Sequence, residues 1–176
     1  MKKTICLIIG ALATISTAFA QFTSDNIAVY RFGDGSTLVN GGRVPVFIDE
    51  YNPLTGEKVR TITVSRANVG SNYGIEGLGL TGGGAYETEG FPALSRDGEI
   101  LSIIGRHPTN SAQFVIGTLN PAGTFSSNTL VIDGIGAPRS AVVEGNAVYY
   151  NGYQIGVMYN TLGTATAGSR DTTGHA

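Results

Sequence analysis

The chain has 176 residues, with eleven Lys and Arg against thirteen Asp and Glu. A formal charge of −2 and the lack of any like-charge run exclude the basic stripe that nucleic acid requires and the polybasic patch of a membrane-surface protein. With 26 Gly, eight Tyr and seven Phe, the composition favours short strands and turns over helices.

Residues 1–20 read as a cleaved signal peptide. Lys2 and Lys3 supply the positive start, Ile5 to Ala13 an apolar stretch, and Ala18-Phe19-Ala20 a small-x-small site before Gln21. The apolar stretch is shorter than the roughly 20 residues that span a bilayer. Cleavage leaves 176 − 20 = 156 residues and a charge of 9 − 13 = −4, because Lys2 and Lys3 go. It also removes Cys6, the only cysteine, so the exported chain can form no internal disulfide. Gln21 stands where a lipoprotein needs cysteine. The expected location is periplasmic or extracellular, with no membrane span after cleavage.

After residue 20, apolar residues recur at spacing two or in short blocks, which predicts strands and no amphipathic helix. In chain order the expected strands are Asn26–Arg31, Val44–Tyr51, Lys58–Ser65, Phe91–Ser95, Glu99–Gly105, Gln113–Leu119, Asn128–Ile132, Arg139–Glu144, Ala147–Asn151 and Gln154–Tyr159. Gly, Pro, Asn or Asp punctuates nearly every gap. Glu99–Gly105 is apolar on both faces, Ile100 and Ile104 against Leu101 and Ile103, and in Val44–Tyr51 Val46 and Ile48 oppose Phe47 and Tyr51. Such strands should be covered on both sides, as in sheets stacked on sheets.

Two echoes suggest a repeat. FIDEYNPLTG (47–56) and VIGTLNPAG (115–123) each read strand, Asn-Pro, Gly and then a further strand, as a turn between strands requires. PALSRDGEILSIIG (92–105) echoes SAVVEGNAVYYNG (140–152) 48 positions later, close to the roughly 40–50 residues of one propeller blade. The expected fold is therefore all-β: a partial β-propeller of about three antiparallel four-stranded blades. The first blade lacks its first strand. At about 45 residues per blade, 156 residues make three and a half, so the chain is expected to be a truncated copy or to assemble with another chain. The repeat domain is placed at residues 21–163 and a polar tail at 164–176.

NIAVYRFGDGSTLVNGGRVPVFIDEYNPLTGEKVRTITV (26–64) resembles the opening of a family of bacterial secreted repeat domains, which occur alone or beside extracellular nuclease-like or sorting modules. ETEGFPALSRDGEILSIIGR (87–106) and APRSAVVEGNAVYYNGYQIGVMYNTLG (137–163) extend the resemblance over most of the mature chain. It implies a propeller-like ring and carries over no catalytic residue.

Chemistry-bearing residues are few. Gly77-Leu78-Gly79-Leu80-Thr81-Gly82 spells G-x-G-x-x-G, but Gly83 and Gly84 follow where a phosphate-binding helix should begin, so the loop reads as a connector. The chain holds two histidines, His107 and His175, too few for a histidine-rich zinc site, and no G-x-S-x-G elbow accompanies them. His107 reads as an exposed turn residue. Glu87 and Glu89 would share one face of an extended segment, with Glu76, Asp97 and Glu99 near in sequence, and the expectation is solvated turn charge rather than a calcium or hydrolase site. Tyr149, Tyr150, Tyr153 and Tyr159, with Tyr73 and Tyr86, could form a stacking platform for sugars or peptides, but Tyr149 and Tyr150 face opposite ways on a strand, and most of these rings read as inter-blade packing. Any binding surface is sought in the loops 70–90 and 105–112, with Glu87, Glu89, Tyr73, Tyr86 and His107 as candidate contacts. No cofactor and no metal is expected. The expected function is an exported, non-catalytic binding or structural module whose partner is a surface glycan, a protein or a neighbouring domain. The alternative is a secreted hydrolase using the acidic, metal-binding cluster.

Overall fold

The computed structural model describes residues 22–23, 25–36, 42–79, 89–132, 136–153 and 156–170. Among them there are strands and no helix, so none is long and apolar enough to cross a membrane. The first strands are β1 (Ile27–Phe32), β2 (Arg43–Val44), β3 (Val46–Tyr51), β4 (Lys58–Thr63) and β5 (Gly77–Leu78). There follow β6 (Ala93–Leu94), β7 (Leu101–His107), β8 (Asn110–Leu119) and β9 (Phe125–Val131). The last are β10 (Pro138–Glu144), β11 (Ala147–Gly152), β12 (Met158–Thr161), β13 (Ala165–Thr166) and β14 (Ser169–Arg170).

These strands pair into three main sheets of unequal size and one small ribbon. The first sheet is the antiparallel meander β1-β3-β4, the second has the order β6-β7-β8-β9-β13, and the third β10-β11-β12-β14. β2 and β5 form a separate two-stranded ribbon. Only the third sheet has the expected four strands. Among the described residues neither a barrel nor a propeller ring closes.

Both Asn-Pro turns join neighbouring antiparallel strands. Asn52 follows β3, its side chain accepting from the Leu54 N–H, and its backbone exchanges bonds with Gly56 and Glu57. Asn120 follows β8, its side chain accepting from the Thr124 N–H, and its backbone bonds Gly123 and Thr124. Gly56 and Gly123 adopt φ of 71° and 78°, a region a Cβ disfavours, which is why each turn needs its glycine.

The sheets are held face to face by two cores. Val46, Ile48 and Val64 of the first sheet and its continuation meet Ile103, Val115, Leu119 and Leu130 of the second, together with Ile75. On the opposite side of the second sheet, Ile104, Phe114, Ile116 and Val131 meet Ala141, Val143, Val148 and Tyr150 of the third. Alternation decides this sharing. Ile103 and Ile104 are consecutive on β7 and must point to opposite faces, so a strand apolar on both faces lies between two neighbours.

The outer sheets differ from the expectation of double cover. In β3, Phe47 and Tyr51 are only half-buried, and instead of another sheet the Arg31 guanidinium lies 4.1 Å from the Phe47 ring centroid. Ile27 and Val29 on the same face are 51% and 40% exposed. Across the stack, the outer face of the third sheet presents Tyr149 and Tyr159, with ring centroids 6.4 Å apart.

Residues 164–170 carry two short strands in the segment read as a polar tail. β13 lies parallel to β9, where the Leu130 N–H donates to the Thr164 carbonyl, and β14 pairs antiparallel with β12. This stretch ties the third sheet to the edge of the second. Their polar sequence hid them, because a strand of two exposed residues carries no apolar alternation to read.

Candidate functional site

Three of the five candidate contacts collect around the end of β7. His107 is its last residue, Arg106 precedes it, and the antiparallel bridge between Glu76 and Arg106 brings the segment 73–76 alongside. Tyr73 stands edge-on to His107 at 6.1 Å, and Glu89 pairs with Arg106 through both carboxylate oxygens. Glu87 and Tyr86 lie outside the described residues, as does most of the glycine-rich loop.

The expected solvent exposure of this group is corrected. His107 is 7% exposed rather than a free turn residue, with Tyr73 packed edge-on against its ring. Glu76 and Glu89 are buried against guanidinium groups, Arg66 for Glu76 and Arg106 for Glu89. Asp97 and Glu99 do face solvent. Burial holds the His107 pKa below the ordinary histidine value. The Thr109 hydroxyl lies 3.2 Å from its Nδ1.

A stability consequence follows from His107. The unfolded chain takes up a proton at the ordinary histidine pKa while the folded chain does so only at lower pH, so stability falls as pH drops through the ordinary histidine value toward the lower folded one. His107→Phe keeps an aromatic group beside Tyr73 and removes the titration. Thermal melts should show the wild type losing stability over that interval and the variant giving a flatter profile. Parallel profiles would contradict the burial of His107.

The larger polar feature was not foreseen. Asp49 and Glu50 are consecutive in β3, point to opposite faces, and are 0% and 1% exposed. Asp49 accepts from Arg31 Nε at 2.5 Å and from the Thr61 hydroxyl. Glu50 accepts from Arg60 Nε at 2.7 Å, Asn26 Nδ2 at 2.7 Å and the Thr23 N–H at 2.8 Å. Register explains the pairing: Glu50 is directly opposite Arg60, and Arg31 is diagonal to Asp49. The hydrogen bond from Arg31 holds the Asp49 carboxyl below the usual range. For Glu50 burial pushes upward, and the bonds from Asn26, Thr23 and Arg60 outweigh it, so the net direction is down. The signal in the sequence was a charged pair set inside the apolar run VFIDEY, with an arginine on each flanking strand.

Tyr30 and Arg43 complete the polar centre beside Glu89. Burial, and then the Glu89 charge, push the Tyr30 phenol far upward, so it stays protonated. Burial, and then the Arg106 charge, lower Arg43, with Glu76 and Glu89 acting in opposition. Every buried carboxylate named here faces a cation, an arrangement suited to holding strands in place. Among the described residues no group of three or more His, Cys, Asp or Glu is placed to hold a metal ion.

Concave space lies elsewhere. An open cleft of about 450 Å³ separates the start of β1 from the tips of the β6–β7 and β8–β9 hairpins, within the range of roughly 300–1,000 Å³ typical of ligand pockets. Ile27, Ala28, Leu94, Leu101 and Leu119 give it apolar walls, and Glu99 stands at its margin. None of the three described candidate contacts, Tyr73, Glu89 and His107, lines it. No family model matches the chain, and no curated protein matches it.

Proposed function

We propose that the chain is an exported, non-catalytic module of the propeller-like kind its sequence resembles, and that it works by binding. In this reading the three face-to-face sheets are successive blades of an open arrangement. Matching Asn-Pro turns after β3 and β8, and the sheet-on-sheet order of the two cores, support it. The signal-like residues 1–20 support export to the periplasm or beyond.

The observation that carries the non-catalytic part is the state of the buried acidic groups among the described residues. A general acid or a metal ligand needs a carboxylate free to exchange its partner, whereas Glu89, Glu76, Asp49 and Glu50 are each committed to an arginine. The open cleft, largely apolar and meeting the Glu50–Arg60 pair only through Phe22, Thr23 and Asn26, is the place for a partner.

The test is a hydrolase screen on glycoside, ester and phosphodiester substrates, with and without calcium, on the wild type and on Glu89→Gln. The expected result is no turnover by either protein and a lower melting temperature for the variant. Turnover that disappears in Glu89→Gln while the variant remains folded would replace this reading with the hydrolase.

A further inference from the structure

Among the described residues the first sheet ends on an unpaired edge. Gly33 N–H donates to the Pro45 carbonyl, and the β1–β3 register places Arg31, Val29 and Ile27 in the same bonding phase. Ala28, Tyr30 and Phe32 therefore turn their N–H and C=O groups away from β3. Among the described residues no strand pairs with that edge. Its beginning, at Ala28, opens on the cleft.

Three features of the cleft select a partner chemistry. At Ala28 the outward-turned backbone N–H and C=O meet the cleft, and the row continues beyond it at Tyr30 and Phe32, which suits another extended backbone. Apolar walls at Ile27, Leu94, Leu101 and Leu119 suit the alternate side chains of such a strand. Among the described residues Glu99 is the one charged member of the lining and has no ion-pair partner, so it suits a cation on the incoming chain. The fold already accepts a strand from outside a sheet's own meander, as β13 does on β9.

We propose that this cleft is a docking site for an extended peptide that adds to β1 as a fourth strand, placing alternate apolar side chains in the cleft and a lysine or arginine beside Glu99. The proposal rests on the binding-module reading and names its partner class. Backbone bonding to Ala28 gives the affinity, and the apolar walls and Glu99 give the preference.

The test titrates the full chain with a fluorescently labelled seven-residue peptide of alternating valine and threonine with one terminal lysine. A control peptide carries proline at alternate positions and cannot pair. The wild type should bind the first peptide saturably, one to one, and the control at least tenfold more weakly. Ala28→Pro removes an N–H that points away from β3, a place where an edge strand tolerates proline, and should weaken binding at least tenfold without moving the melting temperature by more than a few degrees. Glu99→Gln, at an exposed position, should weaken binding about threefold and remove most of its salt dependence. Should Ala28→Pro fail to fold, the Glu99→Gln result and the proline control decide. Equal binding of both peptides, unchanged binding by a folded Ala28→Pro, or self-association of the chain that Ala28→Pro abolishes would overturn the proposal, the last in favour of a second copy. Absence of peptide binding leaves the hydrolase screen unaffected, so the two readings fail separately.

Discussion

Phe114→Ala is expected to destabilise the chain by about 3–5 kcal/mol, as truncation of a fully buried aromatic does. Phe114 is 1% exposed and lies on the β8 face that meets Ala141, Val143, Val148 and Tyr150 of the third sheet. Its ring also supports the Arg106 guanidinium at 5.5 Å, so the substitution loosens the partner of Glu89 as well. For a chain of this size the loss corresponds to roughly 6–20 °C in melting temperature. Val29→Ala on the exposed outer face of the first sheet is the matched control and should cost no more than about 0.5 kcal/mol. Urea titration of both variants checks the contrast; similar losses would mean that the second and third sheets do not share a core.

Glu50→Ala should cost about 2–4 kcal/mol, below the roughly 3–5 kcal/mol for breaking a fully buried pair because the Arg60 side chain keeps 20% of its exposure. The variant removes acceptors from Arg60, Asn26 and Thr23 together, and so frees Thr23 and the Asn26 side chain from the first sheet. Arg60 would still lie 4.2 Å from the Phe22 ring centroid. Because the folded pKa of Glu50 is depressed, its stabilisation is complete above the ordinary carboxylate range and disappears as pH falls through the lower folded value. The acid limb of the wild-type stability curve should therefore flatten in Glu50→Ala. Additive losses in Glu50→Ala, Arg60→Ala and the double variant would contradict a coupled pair.

Strand positions were readable because alternation and turn residues act locally. Ile103 and Ile104 announced a strand buried on both faces, and the two Asn-Pro turns announced hairpins. Burial of Val44–Tyr51 on both sides was misjudged for a physical reason: Arg31 can shield Phe47 with its own stem and guanidinium, and a sequence does not show that an arginine rather than a sheet will do so. The charges were harder. Whether Glu89 faces water depends on Arg106, seventeen positions away, and Glu50 depends on Arg60 through a register fixed by the Asn52 turn. Local acidic clustering pointed to solvent, while cross-strand pairing placed the carboxylates inside. The cleft was invisible for the same reason, being formed by the start of β1 and two hairpin tips distant in sequence.

Amide hydrogen exchange, resolved by segment, tests most directly whether the second sheet is the shared centre of the stack. Ile103, Ile104, Val115 and Ile116 on β7 and β8 sit between both cores, so their segments should exchange slowest and only through global unfolding, with β1, β4 and β12 opening earlier. If β7 and β8 exchange as fast as β1 or β12, the three sheets do not form a stack about a common middle layer.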